Sequence, residues 1–81
     1  MPESVRKAVL SRDGWQCQAH ARGFALDLPC WGHNHVHHVI LRSQGGLNIP
    51  EHLVTLCQAH HIQAHDIDRA GAERAGLIVR S

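Results

Sequence analysis

The sequence predicts one small domain of the α+β class. Residues 3–12, ESVRKAVLSR, place their apolar side chains on one face of a helix. Residues 35–41, HVHHVIL, mix apolar residues and histidines over a length that favours a short strand. Residues 52–65, HLVTLCQAHHIQAH, favour a helix, although the first half, LVTLC, is also compatible with a strand. With 81 residues, the chain from 1 to 81 is expected to form a single domain.

Turns and loops separate these elements. Asp13-Gly14 predicts a turn after the first helix, and Pro29 marks a loop that ends at Cys30. A further loop is predicted over residues 43–48. Near the end of the chain, residues 77–80, LIVR, favour a short closing strand.

The composition indicates that the domain binds a metal ion. A domain of this size buries only about 60% of the surface that its unfolded chain exposes, and it often needs a disulfide, a metal or a partner. The chain has two Trp, one Phe and no Tyr, so its aromatic core is thin. Three cysteines are an odd number, which argues against a closed disulfide framework. The nine histidines beside them therefore point to metal binding.

Charge and hydropathy argue against a protein that binds nucleic acid by overall charge, a membrane-spanning protein and a secreted protein. The net charge is +1 with neutral histidines, too low for nucleic acid to be held by overall charge alone. No stretch approaches the ~20 apolar residues of a membrane span, and no secretory signal pattern is present. The expectation is a cytoplasmic protein without membrane contact, in which free cysteines serve as metal ligands more readily than as disulfides.

Two pairs with Cys-x-x-His spacing predict a structural zinc site. Cys17 precedes His20 by three positions, as Cys57 precedes His60. Brought together, the two pairs would supply two thiolates and two imidazoles, a common tetrahedral set. Cys30 competes with His20 for the fourth position, and the set with Cys30 uses every cysteine of the chain. We favour Cys30, but the spacing leaves both choices open, as it leaves open that these are small buried core residues.

A second group of histidines predicts an open metal site. His61 and His65 are four residues apart, so a helix would place both on one face. With His37 they would give three ligands and leave further positions of the ion open, as in catalytic sites. His38 directly follows His37, and a free imidazole is a natural general base for activating water. This combination suits hydrolysis of a phosphodiester, because the ion would stabilise charge on the phosphate.

The order and spacing of these residues resemble the HNH endonuclease family. The resemblance covers residues 12–65 and is carried by four segments: RDGWQC at 12–17, HHVILRSQGG at 37–46, HLVTLC at 52–57 and CQAHHIQAH at 57–65. The small phage-type members are the most similar group. The resemblance implies a ββα-metal (His-Me finger) core with an N-terminal helix and a structural zinc ion.

The resemblance also implies a role for each residue. His38 corresponds to the general base, and His37, His61 and His65 correspond to ligands of the catalytic ion. The cysteine knuckles that hold structural zinc in many relatives correspond to Cys17, Cys30, Cys57 and His60. Relatives often have two close cysteines in the first knuckle, and this chain departs from that pattern, which keeps His20 open as an alternative ligand.

A second departure concerns the middle letter of the family name. In the family, this Asn braces the loop that carries the base by accepting and donating hydrogen bonds, and it corresponds here to His52. A neutral imidazole can also accept and donate hydrogen bonds, but along different directions. Asn48 lies out of register and is better interpreted as a turn residue. Arg42 is expected either to clamp the scissile phosphate or to be a solvated loop charge. Gly45 and Gly46 would allow a tight turn that approaches a phosphate backbone.

The resulting functional prediction is a metal-dependent endonuclease that nicks or cuts DNA with low sequence specificity, since 81 residues leave little room for a base-reading element. The catalytic ion would be Mg, Mn, Ni or Zn, with a separate structural Zn. The alternative is a zinc-binding module that binds nucleic acid or protein and has little or no activity. A metal-buffering protein is a weaker alternative, because its histidines would be scattered. The resemblance implies a phage context, with action in the host cytoplasm and a packaging or replication protein as a partner.

Overall fold

A computed structural model of the chain describes residues 2–40, 45 and 47–79. It has two antiparallel strands and several short helices, which confirms the α+β class. The helices are α1 (Glu3–Arg12), α2 (Gln58–Ile62) and α3 (Arg69–Arg74), the strands are β1 (Asn34–His38) and β2 (Leu53–Cys57), and single turns of 3-10 helix cover His20–Arg22 and Pro50–His52. A turn of π-helix, Gln63–Ile67, continues α2. In the part of the chain that the structure describes, no helix has the length and apolar character needed to cross a bilayer.

The segment 52–65 divides between a strand and a helix. Its first half, LVTLC, is β2, and all five of its residues are buried because α1 and α2 both pack against this strand. The helix begins only at Gln58, so the prediction of one helix over the whole segment was too long. Cys57 ends the strand and caps α2, since its Sγ accepts a hydrogen bond from His60 N at 3.4 Å. A buried strand lacks the alternating polar residues that would distinguish it from a buried helix in the sequence.

The two strands set the positions of the predicted catalytic histidines. β1 pairs with β2 in a register that places His37 opposite Val54 and His38 opposite Leu53. Adjacent strand residues point to opposite faces, so His37 and His38 occupy different environments. His37 is buried, whereas His38 is half-buried at the end of the strand.

The core is mainly aliphatic, as the composition predicted. It is built from small and branched side chains around a single phenylalanine: Ala19, Phe24, Val54, Leu56, Ala64, Ala72, Leu77 and Ile78. Both tryptophans, in contrast, are more than half exposed. Because so few large side chains are buried, a metal ion bound by the Cys and His residues would add substantially to the stability of the domain.

The Arg12-Asp13 pair attaches α1 to the sheet. The Arg12 guanidinium donates to the carbonyl oxygens of Pro50 and Leu53, both at 2.8 Å, and to the Asp13 carboxylate at 2.9 Å. The other Asp13 oxygen accepts from the backbone N–H of Thr55 at 2.9 Å. Burial opposes ionisation of Asp13, but these hydrogen bonds outweigh it and lower the pKa of the carboxyl group. The sequence motif that predicted only a turn is thus also the joint between α1 and β2.

The C-terminal segment returns to the end of β1. Val79 N donates to Val39 O at 2.9 Å, and Ile40 and Val79 form an isolated parallel bridge. The predicted closing strand is therefore reduced to one bridge within the described residues. This return places the backbone of Leu77 beside His37.

Candidate metal centres

Three cysteines and one histidine converge at the start of α2. Their ligand atoms all lie within 4.8 Å of one another. The Nδ1 atom of His60 is 3.1 Å from the Sγ of Cys57, 3.6 Å from that of Cys30 and 3.7 Å from that of Cys17. We call these four residues the Cys3His group.

The geometry of the Cys3His group fits a tetrahedral zinc ion. Zinc binds sulfur at about 2.3 Å and imidazole nitrogen at about 2.0 Å, so tetrahedral ligands of these two kinds lie about 3.5 Å apart. The three S–N separations, 3.1 to 3.7 Å, bracket that value. The group can therefore hold a metal ion, and its soft sulfur donors favour zinc.

The electrostatics of the Cys3His group also fit a cation. Burial disfavours the Cys57 thiolate, but hydrogen bonds, first of all the one from the backbone N–H of His60, outweigh burial and lower the pKa of Cys57 to about 6. Burial, then the hydrogen bonds and charges of the neighbouring thiols, raise the pKa of Cys30 to about 12. Burial likewise raises the pKa of Cys17. The Cys57 thiolate forms readily, and its negative charge disfavours ionisation of the other two thiols. A bound cation would offset this repulsion.

His20 lies outside the Cys3His group. Its Nε2 atom is 2.8 Å from the carbonyl oxygen of Leu28, and its ring packs edge-on against the His60 ring with centroids 4.8 Å apart. The His60 Nε2–H in turn faces the carbonyl oxygen of Ala25 at 3.3 Å, which leaves Nδ1 free as the ligand atom. Of the two predicted ligand sets, the structure thus brings together the donor atoms of the one with Cys30, and His20 lies outside it.

A second group consists of His37, His61 and His65, the three-His group. Their ligand nitrogens also lie within 4.8 Å of one another. His65 Nε2 is 3.2 Å from His37 Nδ1, close to the separation of about 3.3 Å expected for two imidazole nitrogens on one tetrahedral zinc ion. The predicted ligands of the catalytic ion are therefore adjacent, and their donor atoms fit a divalent transition ion.

α2 supplies residues to both groups. His60 is buried and faces the cysteines, whereas the next residue, His61, faces His37 and His65 with ring centroids 5.4 and 4.7 Å apart. Successive residues of a helix point about 100° apart, so one helical turn serves two separate sites. His65 reaches the same site from the π-helical turn.

The three-His group is neutral at pH 7 and available for an ion. Burial, reinforced by the neighbouring imidazoles, lowers the pKa of His37 to about 4. Burial is also the main reason that the pKa of His61 and that of His65 are lowered. Since a metal binds only the neutral imidazole, this environment keeps the ligands in the binding form below the pH at which a free histidine becomes protonated.

The lowered pKa of His37 predicts a pH-dependent stability. Between pH 6.5 and about 4 the unfolded chain binds a proton at this residue and the folded chain does not, so acid favours unfolding. For protein carrying one zinc per chain, we expect the free energy of unfolding to fall between pH 6.5 and 5 by about 2 kcal/mol more than in His37→Gln, which cannot titrate. Urea unfolding of both proteins across this range measures the difference. Both proteins lose zinc in acid to the same extent, so this contribution cancels when their free energies of unfolding are subtracted. Parallel curves would contradict the prediction.

His38 is oriented by a residue that was expected to be only part of a turn. Its Nε2 atom lies 2.9 Å from Asn48 Oδ1. An amide oxygen only accepts, so Nε2 carries the proton and Nδ1 has the free lone pair that a general base needs. Asn48, predicted as a turn residue, thus also makes this side-chain contact. The sequence pattern did not predict it, because the two residues are ten positions apart in the chain.

His52 does not share this contact. Its Nδ1 accepts a hydrogen bond from Leu47 N at 3.1 Å, and its backbone oxygen accepts from Val39 N at 2.9 Å. It thus braces the residue that precedes Asn48. The predicted bracing of the loop near His38 by His52 stays a prediction.

Two of the predicted loop residues, Arg42 and Gly46, lie outside the described residues. Gly45 is described and has a φ of 89°, the left-handed region that glycine adopts at no steric cost. The predicted turn at this position is confirmed, whereas contact with a phosphate stays a prediction.

His35 is a neighbour of the three-His group that the sequence analysis did not single out. Its exposed ring stacks on that of His61 with centroids 5.1 Å apart and an interplanar angle of 14°. Its position two residues before His37 was the available signal, because residues i and i+2 of a strand share a face.

Comparison of the chain with protein-family models, with curated proteins and with solved structures finds no match.

Proposed function

We propose that the protein is a metal-dependent endonuclease of the HNH type that hydrolyses phosphodiester bonds of DNA. One observation carries the proposal: three neutral imidazoles converge on one point, and the residue next to one of them, His38, has a lone pair free for a proton. A site that only stabilises the fold does not need this combination, since structural zinc sites are closed by four protein ligands. The order of β1, β2 and α2 is consistent with a ββα-metal core.

In the proposed reaction, His38 Nδ1 takes a proton from a water molecule whose oxygen attacks the phosphorus. A new P–O bond forms as the bond to the leaving oxygen breaks, and the leaving oxygen takes up a proton from solvent water. Asn48 holds the His38 ring in the required orientation through Nε2–H. An ion bound by the three-His group would stabilise the negative charge on the phosphate and on the leaving oxygen. The resemblance implies 5′-phosphate and 3′-hydroxyl products, with one strand cut at a time.

The donor atoms bear on the choice of ion. Three imidazoles suit Zn, Ni and similar transition ions, whereas Mg prefers oxygen ligands. Three protein ligands also leave positions open for water and a phosphate oxygen. We therefore expect Ni, Mn or Zn to support activity better than Mg.

The alternative is a binding module that retains the structural ion and lacks activity. His52 at the position of the family's Asn and the net charge of +1 favour it. The two functions differ in their need for the three-His group, which a binding module could lose without effect.

The test is nicking of supercoiled plasmid by purified protein that carries one zinc per chain. Wild type, His65→Ala and His33→Ala are compared with Mg, Mn, Ni or Zn and with EDTA. We expect metal-dependent nicking by wild type and a loss of about 100-fold or more in His65→Ala, because the ion is worth several kcal/mol to the transition state. His33 is exposed and outside both metal groups, so His33→Ala is the matched control. Folded wild type that cuts with none of the ions would favour the binding module.

A further inference from the structure

The backbone carbonyl of Leu77 selects the tautomer of His37. The distance between His37 Nε2 and Leu77 O is 2.6 Å, and both residues are buried. A carbonyl oxygen only accepts hydrogen bonds, so Nε2 must carry the proton in this contact. The lone pair is then on Nδ1, the atom that faces His65. Without this carbonyl the ring could take the other tautomer, whose Nδ1–H cannot bind an ion.

The peptide unit before this carbonyl is held at both of its ends. Leu77 N donates to Ala72 O at 2.8 Å, and the oxygen of the same peptide unit, Gly76 O, accepts from Arg22 Nη1 at 3.0 Å. Gly76 has a φ of 75°, which lets the chain turn sharply after α3. These two bonds fix the plane of the Gly76–Leu77 peptide. The Leu77 carbonyl belongs to the next peptide unit, whose Ile78 N–H donates to Ala72 O at the longer distance of 3.3 Å, so its direction depends on this bond and on the peptide before it.

Arg22 connects this turn to the other metal group. It ends the 3-10 turn that follows Cys17, and it is 54 residues from Gly76 in the chain. The same turn contains His20, whose ring packs on His60. The turn beside the Cys3His group is therefore hydrogen-bonded, through the Arg22 guanidinium, to the Gly76–Leu77 backbone that contacts His37.

We propose that Arg22 is a positioning residue for the three-His group: by holding the Gly76–Leu77 peptide, it keeps the Leu77 carbonyl on His37 and the Nδ1 lone pair directed at the ion. The proposal deepens the proposed function and rests on it for the role of the ion, but its effect on the His37 tautomer does not require an ion. Partners that orient a ligand from outside the site typically change metal affinity by 10- to 100-fold, so a loss near 10-fold is expected for this indirect contact.

The test uses protein with one zinc per chain and four variants. Arg22→Met keeps the aliphatic stem and removes the donors, Arg22→Gln is a milder change in case Arg22→Met is too unstable, and Arg22→Lys restores a donor. Arg74→Met is the matched control, because Arg74 lines the same shallow cavity of about 210 Å³ as Arg22 and is exposed. Nitrogen-15 NMR reports the His37 tautomer before a second ion is added, and calorimetric titration with Ni then gives the affinity of the three-His group.

We expect wild type and Arg74→Met to hold His37 as the Nε2–H tautomer. Arg22→Met should show a mixture of tautomers and about 10-fold weaker Ni binding, and Arg22→Lys should recover most of both. An unchanged tautomer in folded Arg22→Met or Arg22→Gln would overturn the proposal, as would an equal change in Arg74→Met. If wild type binds no second ion but the tautomer still depends on Arg22, the positioning role stands and the proposed nuclease function fails.

Discussion

His38→Ala is expected to lower metal-dependent nicking of supercoiled DNA by about two to four orders of magnitude, the usual contribution of a general base. The substitution removes the lone pair that would take the proton from water. It leaves the nitrogens of the three-His group in place, since His38 is not among them. Single-turnover nicking rates at saturating Ni measure the effect, and calorimetry under the same conditions checks that Ni still binds. Full activity with the ion bound would contradict the assignment of His38 as the base.

Two further variants separate the residues around His38. Asn48→Ala removes the acceptor for Nε2–H, so the ring loses its fixed tautomer, and we expect an intermediate loss of rate. His52→Ala removes, among the described residues, a side-chain hydrogen bond to the Leu47 backbone and none to His38, so its effect should be smaller. A larger loss in His52→Ala than in Asn48→Ala would show that His52 performs the bracing that the family resemblance assigns to it.

Cys57→Ser is expected to unfold the domain. Cys57 is buried, is the cysteine nearest to His60 and caps α2. The substitution therefore removes a ligand of the ion and weakens both the end of β2 and the start of α2. Binding of structural zinc is worth about 10–16 kcal/mol in small domains, which equals or exceeds the whole stability of about 5–15 kcal/mol of a typical domain. Circular dichroism at 25 °C with and without zinc measures the loss. A folded, zinc-independent Cys57→Ser would contradict the structural role of the Cys3His group.

The matched variant for Cys57→Ser is His65→Ala, which removes a ligand of the three-His group instead of one of the Cys3His group. His65→Ala should stay folded, because only one half-buried imidazole is lost and the Cys3His group is untouched. Mild chelation should likewise stop nicking before it changes the circular dichroism, and strong chelation should change both. Coincident loss of activity and fold at every chelator concentration would argue against two separate sites.

Local patterns in the sequence predicted much of the fold. The helix over 3–12 is confirmed with the same bounds, because its spacing of apolar residues and the following Asp13-Gly14 turn are both local signals. The strand predicted at 35–41 occurs as Asn34–His38. The length of α2 was not predicted, since a strand buried on all sides, as LVTLC is, carries no distinctive period.

Spacing also predicted most of the ligand residues. Two pairs of ligands are close in the chain. Cys57 ends β2 and His60 lies in the first turn of α2, whereas His61 and His65 lie four residues apart on one helical stretch, so local geometry brings each pair together. Residue type adds the rest of this information, because thiolates and imidazoles are rarely clustered without a chemical reason. The existence of two candidate metal groups thus follows from the sequence by itself, whereas the choice between Cys30 and His20 does not.

Only the tertiary structure decided which distant residues complete the sites. It placed Cys30 rather than His20 beside His60, Asn48 rather than His52 on His38, and the Leu77 carbonyl on His37. Each of these contacts spans a loop or joins segments far apart in the chain. Their geometry depends on loop conformation and on packing against the core, and neither leaves a periodic signal in the residues concerned.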